Sequence, residues 1–497
     1  MTTCRLKEML GGNAFAVVAE LTGGAGYKTE PFVRFLQDWQ ASDKRLPPGF
    51  HFAGITFPQN PGGVASVDPT DALAVMHAKG LLEGLDYIPH ISCKDSNTDA
   101  LLSTLAGYRA RGVESVLALT GDKPLEAKGV FEVESVGLLG MIQNLNRKAL
   151  LDARPGQWDR VHQFYPGAAV SPFKYTEASL MQQYYKMEKK IAAGAKFLIT
   201  QVGWDWKKSV ELFGYLKDNA LDIPVLGNVY WLTTRTPAPR LMHDIKLPGC
   251  YVSDALLARL YSETLEEHIE RAAQQTAMYK AIGAAGVDIG GVHDLEIFMR
   301  ILNRAAEIGD DWPRYKDNLC WPAENAFYLY DDNGCRVSLS APKKKCNERF
   351  FDLLHRAILD PDHCGFRAFR ATLRAFHADR EGSFSNKAFN GIEKPIKYWL
   401  FECEECGDCY LPENFGYCTI GGCEKGLDNA PCGDATVDGW CGNNLERLCI
   451  GEKIYYCAAA EPNGRLKLRR QINRPRKPAL EHTSSIVNYL FGKDHTM

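Results

Sequence analysis

Residues 179–201 read SLMQQYYKMEKKIAAGAKFLITQ, and this stretch decides the fold. Leu180, Tyr184, Met187 and Ile191 recur at helical spacing, so 180–193 forms a helix with one apolar face. Gly194 interrupts the pattern, and Lys196 to Gln201 follows as a short, largely apolar run of strand length. One unit of helix, break and strand is therefore legible without any other information.

The same alternation extends in both directions. Strand-like runs occur at Phe15–Leu21, His51–Phe57, Tyr87–Ser92, Ser115–Thr120, Phe164–Val170, Lys196–Gln201, Pro224–Trp231 and, most weakly, Ala284–Gly290. Helix-like stretches lie between them, among them 70–85, 100–112, 179–195 and 254–282. Eight strands with helical crossovers in about 300 residues predict a (β/α)8 barrel. A doubly wound open sheet gives the same alternation; the count of eight favours the barrel. The expected organisation is a barrel over 1–305, a connector and start of a C-terminal region over 306–395, and a cysteine-rich, metal-binding α+β module with a basic tail over 396–497.

Composition narrows the partners. With 45% apolar and 24% charged residues the chain has the make-up of an ordinary globular protein. A net charge of −3 provides no basic field for nucleic acid or a membrane surface. The first ten residues lack the apolar core of a signal peptide, so a cytoplasmic location is expected. Of the 16 cysteines, nine fall between Cys403 and Cys457. In a reducing compartment such a cluster points to metal before disulfides.

Catalytic groups of a barrel sit where its strands run out into the following loops. Glu20 ends the first run, Thr56 stands at the end of the second, and His90 lies in the third. Thr120-Gly121-Asp122 follows the fourth, and Gln201 closes the sixth. Taken singly, each has an ordinary explanation as a cap, turn or rim residue; five such strand ends together suggest a site. Gly23-Gly24-Ala25-Gly26 looks like a flexible loop, since the spaced glycines of a dinucleotide fingerprint are absent.

Val18-Ala19-Glu20-Leu21, Gly54-Ile55-Thr56-Phe57, Pro89-His90-Ile91-Ser92-Cys93, Leu117 to Asp122 and Ala192 to Gln201 resemble, in content and order, the methylenetetrahydrofolate reductases. The resemblance implies a barrel that carries FMN or FAD and transfers hydride from the reduced flavin to 5,10-methylenetetrahydrofolate, giving 5-methyltetrahydrofolate. It implies Glu20 as the general acid that opens the folate's five-membered ring, and Asp122 as the carboxylate near flavin and pterin. Thr56, His90, Leu119, Thr120, Gly121 and Lys190 match cofactor-binding positions, and Gln201 a folate contact. There are departures: Thr120 stands where many members carry Arg, and Val202-Gly203-Trp204-Asp205 replaces an aromatic run, which alters the surface offered to a folate or nicotinamide ring.

In the C-terminal module, Cys403, Cys406 and Cys409 have two residues between successive members, with Cys418, Cys423, Cys432, Cys441, Cys449 and Cys457 beyond. A triple at this spacing can supply three corners of an iron-sulfur cubane, while Cys4 zinc sites would use the same thiols. Cys406-Gly407-Asp408-Cys409-Tyr410-Leu411 and Cys423 to Gly433 resemble the methylenetetrahydrofolate reductase C-terminal family. That resemblance implies Cys403, Cys406, Cys409, Cys418, Cys423, Cys432, Cys441 and Cys449 as ligands of iron-sulfur clusters of the 4Fe-4S type, with Cys457 an extra. Electrons would then pass between a protein donor such as ferredoxin or flavodoxin and the flavin. An NADH-dependent reductase with a structural zinc module, and a non-catalytic folate or electron-transfer adapter, stay open, as does a homo-oligomer. The basic stretch Arg465 to Lys477 is either a solvated surface or a docking site for an acidic electron carrier.

Overall fold

A computed structural model describes residues 4–23, 27–152, 161–344 and 346–496; of the glycine-rich run, 24–26 lie outside them. The chain divides into two compact units. One comprises 1–337 together with Gly433–Asp438, the other 338–432 and 439–497.

The first unit is a closed barrel of eight parallel strands in sequence order. These are β1 (Ala16–Glu20), β2 (His51–Phe57), β3 (Asp86–Ser92), β4 (Ser115–Leu119), β5 (Tyr165–Val170), β6 (Phe197–Thr200), β7 (Val225–Tyr230) and β8 (Gly286–Gly290). Pairing of β1 with β8 closes it, which excludes the open sheet. The surrounding helices are α1 (Arg5–Leu10), α2 (Glu30–Ala41), α3 (Pro69–Ala78), α4 (Thr98–Ala110), α5 (Ser135–Asp152), α6 (Glu177–Ala192), α7 (Trp206–Asp218), α8 (Ala238–His243), α9 (Asp254–Ser262), α10 (Leu265–Ala281) and α11 (Leu295–Ile308).

The barrel is filled, as its small diameter requires. Ala16, Val18, Ala53, Ile88, Leu117, Phe197, Ile199 and Leu226 form one buried cluster with Leu6 and Leu10 of α1. Helix α1 thus stoppers the end at which the strands begin. Asp86, the first residue of β3, holds it there by accepting the N–H groups of Arg5 (3.1 Å) and Leu6 (2.7 Å). With one end plugged, a ligand can enter only from the end at which the strands finish.

Two expectations change at this level. The stretch 254–282 is two helices, because Thr264 and Glu267 form a reciprocal capping box that starts α10 afresh. The stretch 70–85 is helical only to Ala78, after which Gly80 and Gly84 take positive φ and turn the chain into β3.

The segment 321–337 packs on the barrel through a buried ion pair. Lys208 is fully buried, donating to Glu211 Oε1 at 3.1 Å and to the Phe327 carbonyl at 2.6 Å. Glu211 in turn accepts the Leu329 N–H.

The second unit carries α12 (Cys346–Leu354), α13 (Cys364–Ala375), α14 (Phe384–Phe401), α15 (Thr419–Gly422), α16 (Ile450–Ala459), α17 (Gly464–Arg470) and α18 (Ser485–Leu490). A two-stranded antiparallel ribbon, β9 (Trp440–Cys441) and β10 (Asn444–Leu448), completes it. Among the described residues no helix is long and apolar enough to cross a membrane.

Replacing Lys208 by Met strands the buried Glu211 carboxylate. We expect a loss of about 3 kcal/mol, read as an earlier unfolding midpoint of the barrel unit in denaturant, with Lys208→Met/Glu211→Leu recovering part of it. A single variant as stable as the parent would rule this out.

Candidate functional site

All eight strands run the same way, so their last residues share one rim. Glu20 is the final residue of β1 and is paired in register with Thr56 of β2. His90 lies on β3; Gly121 and Asp122 follow β4, and Gln201 follows β6. The structure therefore gathers the predicted strand-end residues on one end of the barrel.

Glu20 keeps partial access at the mouth, while its surroundings desolvate it and push its carboxyl up to about 7. Gly290 of β8 makes room for it: a Cβ there would stand 2.9 Å from Glu20 Oε1 and 3.3 Å from the Tyr230 ring. Asp122 is fixed differently, with Oδ2 accepting the Gly62 N–H at 2.8 Å. Gly121 before it adopts φ +88°, and a Cβ there would overlap Ser92 Oγ, so only glycine turns the chain here.

His90 is buried, and desolvation lowers it to about 3, so the ring is neutral. Its Nε2 has no hydrogen-bond partner. Thr56 is fully buried and donates to Asp288 Oδ1 at 2.9 Å. Thr120 faces the start of α5, where its hydroxyl meets Ser135 Oγ (3.2 Å) and the Ser135 N–H (3.3 Å). Gln201 accepts the Val202 N–H with its own Oε1 at 3.0 Å.

Lys190 donates to the Ala169 carbonyl at 2.6 Å. Burial, then the nearby Lys186 ammonium, lowers it to about 7. Lys186 pairs with buried Glu134 at 2.5 Å, and burial brings Lys189 down to about 8. Three buried amines around one carboxylate form a surface suited to an anionic group.

Sequence reasoning missed Asn228 and Asp288, register partners on β7 and β8. Asn228 follows the core residue Leu226 by two positions, and Asp288 pairs with the core residue Val18, so both face inward. Asn228 Oδ1 and Asp288 Oδ2 are buried without hydrogen-bond partners. A polar residue in the middle of a buried strand is the signal that could have found them. Also missed was Gly433–Asp438, part of the barrel unit, where Ala435 accepts from buried Lys174 Nζ at 2.8 Å.

In the second unit, Cys403, Cys406, Cys409 and Cys418 line one pocket with Lys397 and Arg476. Lys397 Nζ lies 3.4 Å from Cys409 Sγ, and Arg476 Nη1 lies 3.0 Å from Cys406 Sγ. Burial pushes Cys406 up to about 11 against the pull of Arg476. Cys423, Cys441 and Cys449 form a second group whose thiols influence one another electrostatically. Glu348, Lys344, Glu461 and Asp352 act electrostatically on Cys457, whose thiol burial pushes up to about 12. The basic stretch divides: Arg465, Lys467, Arg469 and Arg470 ride on α17, whereas Arg476 turns inward to Cys406 and Asp428.

A barrel with a carboxyl-lined mouth, followed by a thiol-rich unit, defines the class. Residues 38–298, more than half the chain, match the family model of methylenetetrahydrofolate reductase, and 383–477 match that described as methylene-tetrahydrofolate reductase C terminal. The chain is 24% identical over 215 residues to the 5,10-methylenetetrahydrofolate reductase of Salmonella typhimurium, and 23% identical to that of Escherichia coli. In both cases the match covers 42% of this chain and 65% of the relative, just under two thirds of its length. A tryptophan synthase structure from M. tuberculosis aligns at 14% identity over 61% of this chain and 96% of that one, with a TM-score of 0.32; it carries no argument. The chain belongs to the methylenetetrahydrofolate reductase family.

Gly290→Ala inserts a methyl against Glu20 Oε1 at a position without positive φ. A crystal structure of the variant should show the carboxyl displaced by about 1 Å with β8 in place. A shifted strand beneath an unmoved carboxyl would contradict the role given to Gly290.

Proposed function

We propose that the protein is a flavin-dependent oxidoreductase interconverting 5,10-methylenetetrahydrofolate and 5-methyltetrahydrofolate, with electrons relayed through iron-sulfur clusters in the C-terminal unit. The observation that carries this reading is Glu20, a carboxyl raised to about 7 at the mouth of the barrel. A general acid is most useful when its proton affinity lies near working pH.

The residues at the mouth fit a flavin and a pterin. His90 Nε2 and Asn228 Oδ1 are buried polar atoms awaiting a partner. Leu119, Gly121 and Thr56 would line the ring site, with Thr120 behind them, and Lys190 with Lys186 and Lys189 would meet the cofactor's anionic phosphate. When bound, the flavin supplies hydride chemistry. Glu20 would give its proton to the folate nitrogen that leaves the methylene carbon as the ring opens. Asp122, held by the Gly62 N–H, would place negative charge beside the developing cation. Gln201 would orient the pterin.

The thiols fit metal–sulfur ligation. Four of them surround one pocket, and Lys397 and Arg476 donate toward two of the sulfurs, as an anionic cluster requires. Zinc would use the same thiols, and the sequential triple Cys403, Cys406 and Cys409 favours the cubane. Cys403, Cys406, Cys409 and Cys418 would hold one cluster; Cys423, Cys432, Cys441 and Cys449 would hold the other. A ferredoxin- or flavodoxin-like donor would supply the electrons.

Glu20→Gln should lower methylenetetrahydrofolate reduction by about 10²–10⁴-fold while flavin and metal content stay at parent levels; retained turnover would remove Glu20 from the chemistry. Protein purified without oxygen should carry about eight irons per chain, falling by about half in Cys409→Ser. Zinc in place of iron would end the relay and favour a structural module with a nicotinamide donor.

A further inference from the structure

We propose that Asp288 is the second carboxyl of a proton-sharing pair with Glu20, a positioning residue that keeps a proton available to the acid. The inference deepens the proposed function and rests on it for the role of Glu20. The pairing itself stands on geometry.

Strands β1 and β8 close the barrel with Val18 opposite Asp288 and Ala19 opposite Ile289. The carboxyl of Glu20 leans across this seam onto Gly290, two residues beyond Asp288 on the same strand. Residues two apart on a strand share a face, so both carboxyls occupy the barrel interior, Asp288 below and Glu20 at the mouth. Asp288 is only 1% exposed; Thr56 Oγ1 donates to its Oδ1, and its Oδ2 has no partner. A buried carboxylate oxygen without a donor is costly unless it carries a proton itself.

Among the described residues no cation acts on either carboxyl. From β7, Tyr230 faces Glu20; from the loop after α8, Cys250 does so, and Cys250 itself faces Asp122, Asp434 and Lys174. Lys174, the one cation in this set, is directed to the Ala435 carbonyl. Thr56 is neutral. Burial raises Asp288, and the charge of Glu20 raises it further.

A charge on either carboxyl in this shared interior disfavours a charge on the other, so their protons leave in two separate steps that belong to the pair. One proton therefore remains in the pair after the first has left. When Glu20 passes its proton to the substrate nitrogen, its O–H bond and the methylene carbon–nitrogen bond break, an N–H bond forms, and the nitrogen keeps the electron pair of the broken C–N bond. The proton on Asp288 then passes to Glu20, so the acid form lasts until the second ionisation of the pair, and one proton from solvent restores the starting state.

The sign is definite. Each carboxyl raises the other's proton affinity, so removing either must lower the pH at which the survivor ionises. Infrared titration of full-length protein reads protonated carboxyl directly, in the parent, Asp288→Asn and Glu20→Gln. Asn keeps the acceptor for Thr56 and the volume. We expect the last buried carboxyl of the parent to ionise at least about one pH unit higher than the survivor in either variant. The alkaline limb of folate reduction should move toward neutral pH in Asp288→Asn by a similar amount. A survivor titrating where it does in the parent would overturn the pair, whatever the folate assay gives. Reciprocal infrared shifts with an unmoved alkaline limb would also overturn the role proposed for Asp288. Absence of any folate turnover in the parent, with the infrared shifts intact, would instead count against the proposed function alone.

Discussion

Pairing of β1 with β8 is the contact on which the active end depends. It closes the sheet, so every strand is buried on its inner face and every strand end is delivered to one rim. It also fixes the register that sets Val18 against Asp288 and seats the Glu20 carboxyl on Gly290. A shift of one residue at this seam would turn Asp288 out of the barrel and place a different residue beneath Glu20. The plug of Leu6 and Leu10 at the opposite end makes that rim the single entrance.

The interior is graded along its axis. Near α1 it is hydrocarbon, as a packed barrel core must be. Toward the mouth Thr56, His90, Asn228 and Asp288 replace hydrocarbon with polar atoms, several without partners. Such atoms reduce stability in the empty barrel, and they are placed where a ligand would satisfy them. The neutral His90 ring and the raised Glu20 carboxyl have one cause, desolvation, acting on groups of opposite charge type.

The second unit handles burial with sulfur. Desolvation pushes up Cys403, Cys406, Cys441 and Cys449, and Lys397 and Arg476 stand against the sulfurs of Cys409 and Cys406. A cation beside a thiol favours the thiolate, the form a metal takes. Arg476 comes from the basic stretch near the C-terminus, so part of what reads as surface charge in the sequence becomes the wall of a pocket lined by four thiols. Spacing marked the cysteine cluster because its members are close in sequence. It could not identify Arg476, which arrives from a distant segment, or Lys397, whose approach depends on how α14 packs.

The strand count was legible in the sequence, because a strand buried on both faces leaves a short apolar run between turn residues. Glu20, His90 and Asp122 were legible for a related reason: a polar residue where such a run ends is a break in an otherwise apolar pattern. The capping box at Thr264 and Glu267 was equally present, and its neglect merged two helices. Asp288 and Asn228 escaped because β8 is the weakest run and β7 carries its polar residue mid-strand. The sequence by itself determined the alternation of strand and helix, the strand-end residues and the cysteine cluster, since each depends on neighbours along the chain. Only the tertiary structure decided that the sheet closes, that Glu20 and Asp288 share the barrel interior, and that Arg476 reaches the thiols. These depend on register and packing between segments far apart in sequence, which no local pattern encodes.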